Sequence, residues 1–309
     1  MKTAQRIEEA LTSIRHCWEY TSGVQCPASL AEALSTELPH IAPETWQKRL
    51  SWGGVYLNGR SVTSDCPLSP PCRLEYFEPK FDIEDARRVF PEFSREWIVF
   101  EDEDLLIVYK PAGLPSLPVR EQKYFNMKSY LCAYTGAAVH LPSRLDTATS
   151  GLMAVSKTER MHGCLQKLFE KRRAGKTYLF EADGQPAWRQ TTVNGAIARD
   201  AEHAVLRKIA LQGGKPASTL FQVQYHCSPH SSIILARPLS GRTHQIRVHA
   251  QSLGLPVVGD SFYGGRPAPH LHLLSYRLEL PGYLGREPLT ATLPERFIPD
   301  WLDAGRLAV

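Results

Sequence analysis

From Trp97 onward, short segments typical of β-strands follow one another with few helices between them. They are rich in branched and aromatic residues and are bounded by polar turns. In chain order they are WIVF, LLIVYK, GLMAVS, KTYLFEA, STLFQVQYH and SSIILARPL. This succession predicts an α+β fold built around a mixed, largely antiparallel sheet with flanking helices.

Three helices are predicted among these strands. The segment NMKSYLCAYTG is expected to close at Gly136, and the basic segment ERMHGCLQKLFEKRRAG is expected to end at Gly175. A third helix is predicted to begin with Thr243 as N-cap and to stop at Gly254. It carries an apolar face formed by Ile246, Ala250 and Leu253.

Residues 28–80 are predicted to form a small separate module. Two short amphipathic helices, SLAEALSTEL and PETWQKRLSW, are followed by GGVYLNGRSV, which has the strand, Asn-Gly turn and strand of a hairpin. A last strand is predicted in CRLEYFEP.

The remaining segments complete the predicted domain organisation. The helical spacing of four apolar residues predicts an amphipathic helix within residues 1–27: Ile7, Leu11, Ile14 and Trp18. Repeated prolines predict a linker at residues 81–96, and residues 97–309 are expected to form the main domain.

The composition is that of an ordinary globular protein and excludes several classes. No run approaches the roughly 18 apolar residues that a membrane span needs, and the first segment, MKTAQRIEEALTSIRHCWEY, lacks the apolar core of a signal peptide. Seven cysteines without a CxxC pair argue against a disulfide framework or a zinc site and favour buried, reduced thiols. We therefore expect a cytoplasmic monomer without a membrane partner.

Charge is distributed unevenly along the chain. Between His140 and Lys176 there are eight lysines and arginines and three acids, whereas between Asp82 and Asp104 there are nine acids and three bases. A basic centre is either a contact surface for a polyanion or a solvated helix face with ordinary ion pairs. Charge alone leaves both interpretations open.

The segment SRLDTATSG places Asp146 two residues after Arg144 and just before the apolar strand GLMAVS. Taken alone, it is typical of a turn in which Asp, Thr and Ser side chains bond to their own backbone. Three further motifs give it another meaning: KPAGLPSLP before it, then KTYL and LSGRTHQIRVHAQSLGLPVVGDSFYGG after it.

With these four motifs in this order, the chain resembles the RluA-type family of RNA pseudouridine synthases over roughly residues 97–280. The module at 28–80 is similar to a small RNA-binding module, first described in a ribosomal small-subunit protein, that precedes many of these catalytic domains. The resemblance implies a pseudouridine synthase catalytic domain at 97–309 and a ribosomal or transfer RNA as substrate.

The resemblance also implies roles for individual residues. Asp146 matches the catalytic aspartate, Tyr178 the tyrosine of a K-x-Y strand, and Arg247 the arginine that faces the aspartate. The implied substrate-binding residues are Arg144, Arg242, Lys167, Lys171 and Arg172. One departure is Ser143, since many relatives carry histidine at that place.

The chemistry fits these residue types. Formation of pseudouridine breaks the N1–C1′ bond, turns the uracil and rejoins it through C5, so no cofactor or metal is required. A carboxylate could attack the nucleoside covalently or remove a ribose proton, and both routes stay open. A buried carboxylate needs a nearby cation to stay ionised, and we expect Arg247 to supply that charge. Tyr178 offers a flat face to the uracil and a hydroxyl near the C5 proton.

Two other functions compete with this hypothesis. A non-catalytic RNA-binding or ribosome-associated protein could use the same scaffold, but it would have no need of Asp146, Tyr178 and Arg247 together. A glycoside hydrolase normally needs a second, paired acid, and these motifs contain no second candidate.

Overall fold

The computed structural model describes residues 14–22, 26–39, 41–51, 54–78, 91–118, 126–200, 205–210 and 212–307. They form two compact units: an N-terminal unit, within residues 14–78, and a C-terminal unit, within residues 91–307. No helix among the described residues combines the length and the apolar character that crossing a bilayer requires.

The N-terminal unit is a four-stranded antiparallel sheet with two short helices. Its elements are β1 (Ile14–Tyr20), α1 (Leu30–Glu37), a 3-10 turn (Pro43–Thr45), α2 (Trp46–Ser51), β2 (Val55–Leu57), β3 (Arg60–Val62) and β4 (Cys72–Glu78). The strands are ordered β1-β4-β2-β3. The predicted hairpin is confirmed, because Asn58 and Gly59 join β2 to β3 with φ angles of 50° and 75°.

The predicted helix within residues 1–27 is wrong for its described part. Residues 14–20 form β1, which pairs with β4 from Ile14 opposite Glu78 to Tyr20 opposite Cys72. Along β1 the side chains from His16 to Tyr20 alternate between partly covered and exposed positions, as in a strand with one covered face. Pairing also satisfies the backbone groups of β4, which a helix would leave at an open edge. The part of the prediction before residue 14 lies outside the described residues.

The C-terminal unit contains the larger sheet. Its elements are β5 (Ile98–Glu101), β6 (Leu105–Lys110), α3 (Met127–Thr135), β7 (Ser150–Ser156), α4 (Glu159–Glu170), β8 (Gly175–Asp183), β9 (Gln190–Asn194), β10 (Ile197–Arg199), β11 (Arg207–Ile209), β12 (Ser218–Ser228), β13 (Ser231–Pro238), α5 (Gln245–Ser252), β14 (Leu273–Leu280) and β15 (Leu289–Thr292). The strand order is β5-β6-β7-β14-β8-β13-β12-β9, with β15 paired to β14. The pair β7 and β14 is parallel and its neighbours are antiparallel, which confirms the predicted mixed, largely antiparallel sheet.

Both faces of this sheet are buried. In β6, Leu106 and Val108 belong to one hydrophobic cluster, while Leu105 and Ile107 belong to the other. Helices α3 and α5 cover the first face with Met127, Leu131, Ile246 and Ala250. Helix α4 covers the second face with Met161, Leu165 and Leu168.

The predicted linker at 81–96 overlaps the C-terminal unit. The Tyr130 hydroxyl donates a hydrogen bond to the carbonyl oxygen of Pro91 (3.1 Å). The Phe93 ring packs edge-on against Trp97 with ring centroids 5.6 Å apart. Residues 91–96 are therefore fixed on this unit, and residues 79–90 lie outside the described residues.

Two helix boundaries differ from the prediction. Helix α4 ends at Glu170, before Gly175, because Arg172 takes a left-handed conformation (φ 56°) and the backbone N–H of Arg173 bonds to the carbonyl of Leu168 (2.9 Å). Helix α5 begins at Gln245 with His244 as N-cap in place of Thr243. The predicted end of α3 at Gly136 is confirmed, with φ 70°.

The cysteines agree with the sequence analysis in their chemical state and differ in their location. All seven are free thiols, so the expected lack of disulfides is confirmed. Cys72 is buried, whereas the other six are partly or fully exposed, so the expected burial is wrong for them.

Candidate active site

Asp146 lies in the loop between α3 and β7, and this loop is held on both sides of it. The Ser116 hydroxyl accepts a hydrogen bond from the Leu145 N–H (3.1 Å) and donates one to the Leu145 carbonyl (2.7 Å). The Thr147 carbonyl accepts from the Gly113 N–H (2.8 Å) and from the Lys110 ammonium (3.1 Å). Because both neighbours of Asp146 are fixed by the segment 110–116, the position of its carboxylate is set before substrate arrives.

A glycine directly after this loop allows two strands to approach closely. Gly151, the second residue of β7, has a φ of 114° and pairs with Ser275 of β14. A Cβ atom at this position would collide with the backbone carbonyl of Ser275. Ser275 is in turn opposite Tyr178 of β8, so the strand order brings the Asp146 loop next to Tyr178.

A cavity of about 460 Å³ opens beside Asp146. It collects five of the eight residues singled out in the sequence: Asp146, Tyr178, Arg247, Arg144 and Arg242. Arg172 lines two neighbouring cavities. Lys167 and Lys171 are exposed on and just after α4 and are not among the residues that line these three cavities. The Asp146 side chain is 26% exposed and can therefore reach a ligand in the cavity.

Tyr178 contributes a protonated phenol to the wall of the cavity. Burial raises its pKa to about 12, with a smaller contribution in the same direction from the negative charge of Asp146. A hydrogen bond with Ser275 acts in the opposite direction. At neutral pH the side chain is therefore a neutral phenol with an apolar face.

Arg247 lines the same cavity, but its ion-pair partner is Asp260. Its Nε and one terminal nitrogen contact the two carboxylate oxygens of Asp260 at 2.6 Å each. The pair is buried, and Asp260 also accepts a hydrogen bond from the Phe262 N–H (3.1 Å). Asp146 and Arg247, both described, form no ion pair with each other.

The expected direct counter-charge from Arg247 to Asp146 is therefore absent. Asp260 follows α5 in the turn GDSFY and needs a cation because a buried carboxylate without a partner is costly. The bidentate contact uses the planar fork of the guanidinium, so Arg247 is already neutralised. Its assignment as a catalytic residue stays a prediction.

A basic side chain, His244, lies next to Asp146. Its Nε2 lies 3.9 Å from Asp146 Oδ2, and its Nδ1 is 2.8 Å from the Tyr263 hydroxyl. That hydroxyl accepts a hydrogen bond from the Arg207 N–H (2.9 Å) and can donate its own proton to Nδ1. In this tautomer the proton on Nε2 faces Asp146.

The charge state of His244 is governed by burial. Burial lowers its pKa, while the negative charge of Asp146 opposes this and the positive charge of Arg247 adds to it. The imidazole is therefore neutral at neutral pH, and it places no fixed charge beside Asp146.

Lys110 is another basic residue near Asp146 that the sequence analysis did not single out. It is fully buried at the end of β6, and its ammonium donates to the carbonyls of Pro111 (2.9 Å), Leu114 (2.7 Å) and Thr147 (3.1 Å). Burial lowers its pKa to about 7, and the charge of Asp146 acts in the opposite direction. Lys110 and His244 both lie within the motifs quoted in the sequence analysis, KPAG and GRTHQ. A motif does not show how far a side chain lies from Asp146, so neither residue was singled out.

The comparisons with known proteins match this fold and site. Residues 104–252, which include Asp146, Tyr178 and Arg247, match the family model described as RNA pseudouridylate synthase. The chain is 35% identical over 187 residues to the dual-specificity RNA pseudouridine synthase RluA of Vibrio parahaemolyticus, covering 59% of this chain and 74% of that protein. It is 33% identical over 200 residues to the protein of the same name from Escherichia coli, covering 64% of this chain and 87% of that protein.

A solved structure agrees with these relatives. The human RNA pseudouridylate synthase domain containing 1 superposes with a TM-score of 0.57 at 29% identity, covering 65% of this chain and 84% of that one. Fold and cavity thus define a catalytic domain of the pseudouridine synthase class. The chain belongs to the RluA-type family of RNA pseudouridine synthases, isomerases that convert uridine in RNA to pseudouridine.

Proposed function

We propose that the protein isomerises a uridine in structured ribosomal or transfer RNA and that Asp146 initiates cleavage of the glycosidic bond. The observation that carries this proposal is the placement of Asp146, which is fixed at both neighbouring peptides, lines the cavity and is not paired with any arginine of the described residues. The two bacterial relatives are named as dual-specificity enzymes, which supports a site that accepts more than one RNA.

The chemistry begins when the target nucleotide leaves its stack and enters the cavity. Unstacking costs a few kcal/mol and least in a loop. Asp146 then either attacks the sugar covalently or removes a ribose proton, and in both routes the electron pair of the N1–C1′ bond leaves with the uracil. The uracil turns, C5 bonds to C1′, and the proton on C5 is lost.

Two neighbours of Asp146 assist this sequence. The apolar face of Tyr178 supports the uracil while it turns, and its hydroxyl lies on the path of the C5 proton. His244, whose Nε2 lies 3.9 Å from Asp146 Oδ2, leaves the carboxylate ionised without pairing its charge, because burial lowers the pKa of the imidazole and keeps it neutral.

The rim of the cavity binds the RNA. Arg144 is exposed, with a terminal nitrogen 3.4 Å from the Thr243 hydroxyl, and its planar group can fill the space that the flipped base leaves. Arg242 is held by the Pro216 carbonyl (3.4 Å). Together with Lys167, Lys171 and Arg172 it is placed to contact backbone phosphates.

The N-terminal unit is proposed to bind RNA outside the catalytic domain, and the enzyme is proposed to act as a cytoplasmic monomer. A protein that lacks residues 1–80 should bind a long RNA more weakly and with a shallower dependence of log K on salt, since each single-strand phosphate contact contributes a slope of roughly −0.7. An unchanged slope would remove the unit from the RNA-binding surface.

Pseudouridine mapping tests the proposed reaction. Unmodified ribosomal and transfer RNA transcripts are incubated with the native protein, with Asp146→Ala and with Glu170→Ala, a second carboxylate at the cavity wall that is exposed and accepts from Gln166 (2.8 Å). The native protein and Glu170→Ala should form pseudouridine at the same positions, and Asp146→Ala should form none. Turnover by Asp146→Ala, release of free uracil by the native protein, or no product on either RNA class would contradict the proposal.

A further inference from the structure

A second cavity adjoins the active site at the end of α4. Its volume is about 190 Å³, and its basic lining residues are Arg172, Arg173, Lys176 and Arg237. Lys176, Phe169 and Ser240 line both this cavity and the active-site cavity. We call it the side cavity. Because the two share a wall, a chain that enters the active site can continue into it.

The cations of the side cavity have no acidic partners. Among the described residues, no carboxylate forms an ion pair with Arg172, Arg173, Lys176 or Arg237. The acid in the lining is Glu279, and Arg277 binds it at 3.2 Å. Four unpaired cations around one small cavity repel one another and favour a bound anion.

The opposite end of α4 shows that such cations are paired elsewhere. Arg160, in the first turn of the helix, contacts Asp104 at 3.1 Å, and Lys157 just before the helix contacts Glu101 at 2.8 Å. Around α4, the basic residues near the start of the helix are therefore neutralised by ion pairs, while those near its end have no such pairs among the described residues.

Lys176 is the cation nearest to both cavities. Its ammonium lies 5.9 Å from the ring centroid of Phe169, and burial lowers its pKa. An ammonium that has lost hydration and has no acidic partner gains most from an incoming anion.

Arg172 adds an observation from the backbone. It occupies the left-handed position at the end of α4 (φ 56°), with the Arg172 N–H bonded to the Phe169 carbonyl (3.1 Å). Glycine is favoured at this position because a side chain there brings Cβ too close to the backbone. An arginine kept in a strained conformation at the wall of two cavities indicates that its side chain has a use there.

We propose that the side cavity binds backbone phosphates of the nucleotides next to the target uridine, with Lys176 at the phosphate nearest the active site and Arg173 and Arg237 beyond it. Four donor side chains and one already neutralised acid suit a phosphate better than a base, which presents acceptors and donors together. This inference rests on the proposed function, because it takes the target uridine to lie in the active-site cavity.

The first test measures RNA affinity as a function of salt. An unmodified transfer RNA transcript is titrated with the native protein, with the double variant Arg173→Gln, Arg237→Gln, and with the control Arg160→Gln. Each lost phosphate contact should reduce the slope of log K against log salt by about 0.7 to 0.9, so the double variant should be shallower by about 1.5. The control changes charge on the same helix and should keep the native slope. A native slope in the double variant overturns the proposal.

The second test uses Arg172→Gly, for which stability and binding should move in opposite directions. Relief of the left-handed strain should raise Tm by about 2 to 4 °C, while RNA affinity should fall and the salt slope should flatten. A folded Arg172→Gly protein with native affinity and slope would show that the arginine is merely structural and would contradict the proposal.

A third measurement separates phosphate from base recognition. A labelled oligouridylate is compared with the same oligomer carrying uncharged methylphosphonate linkages, on the native protein and on Lys176→Met. Replacing the charged linkages by methylphosphonates should lower the affinity of the native protein more than that of Lys176→Met. Equal losses of affinity in the two proteins would contradict a phosphate contact at Lys176. If the native protein forms pseudouridine but the variants keep the native slope of log K against log salt, the proposal for the side cavity is refuted and the proposed function stands. If the variants show the expected shallower slopes but the native protein forms no pseudouridine, the proposed function is refuted and phosphate binding in the side cavity stands.

Discussion

Two aspartates carry the same charge in opposite surroundings: Asp146, which lines the candidate active-site cavity, and Asp260, which pairs with Arg247 of the same lining. Asp260 is buried, binds Arg247 through two contacts of 2.6 Å and accepts further backbone N–H groups. Asp146 is 26% exposed, and its Oδ2 lies 3.9 Å from Nε2 of His244. One carboxylate is saturated with donors, and the other keeps free lone pairs beside an open cavity.

This difference is what the proposed roles require, a structural charge at Asp260 and a reactive one at Asp146. A carboxylate held in a bidentate pair has little to gain from a reaction, because attack or proton transfer would break a buried ion pair. A carboxylate fixed through its backbone can react without losing such contacts, since its side chain is not part of what holds the loop.

Asparagine substitutions at the two positions should have opposite signatures. Asp146→Asn should reduce pseudouridine formation by at least about 10⁴-fold, since enzymes commonly lower barriers by about 8 kcal/mol or more, and should change the free energy of unfolding by less than about 0.5 kcal/mol. Asp260→Asn should cost about 3 kcal/mol of stability because it leaves Arg247 buried and unpaired. Single-turnover rates and urea unfolding measure both, and the reverse pattern would exchange the roles of the two residues.

Double-variant cycles should identify the partner of Arg247. Arg247→Met should cost about 3 to 5 kcal/mol, and combination with Asp260→Leu should recover part of that loss, because the isolated buried charge is removed. Combination with Asp146→Ala should be additive within about 0.5 kcal/mol. Recovery with Asp146→Ala in place of Asp260→Leu would restore the ion pair that the sequence analysis expected.

Tyr178→Phe keeps the ring and removes the hydroxyl. If the hydroxyl assists loss of the C5 proton, the rate should fall by about 10² to 10⁴-fold while RNA still binds. Tyr283→Phe is a matched control, because that buried tyrosine bonds to Asp102 (3.2 Å) and packs in the cluster on the other face of the sheet. A native rate in Tyr178→Phe would reduce this residue to a packing role.

The smallest expected effect is a loss of stability in acid. Burial lowers the pKa of His244 and of His249, whose ring bonds to Thr219 (2.9 Å) and to the Gly195 carbonyl (3.0 Å). The unfolded chain therefore takes up protons first as the pH falls below 6.5, and stability falls with pH by up to about 1.4 kcal/mol per unit for each histidine.

His244→Gln should make the loss of stability with falling pH less steep, because the unfolded chain then takes up a proton at His249 but none at position 244. Burial is the largest cause of the lowered pKa of His244. The positive charges of Arg247 and Arg207 lower this pKa further, while the negative charges of Asp146 and Asp260 raise it. Urea midpoints measured from neutral pH down to about pH 5 test the change in slope. An identical acid dependence in the variant would mean that His244 does not titrate differently in the folded and unfolded states.

Much of the fold follows from local patterns in the sequence. The alternating strands, the Asn58-Gly59 hairpin and the end of α3 at Gly136 were predictable because each depends on residues close together in the chain. Ordered motifs also identified Asp146 and Tyr178, which the sheet places at one cavity. The strand β1 was missed because four apolar residues at helical spacing concealed the alternation from His16 to Tyr20.

The sequence by itself determined the motifs that carry Asp146, Tyr178 and Arg247, while the tertiary structure decided which charged groups lie together and which of them are neutralised. Arg247 pairs with Asp260 and not with Asp146, and Lys110 binds the Thr147 carbonyl. The cations of the side cavity at the end of α4 have no acidic partner among the described residues. These pairings join residues distant in the chain, and Coulomb energy depends on separation and burial, neither of which a one-dimensional pattern contains.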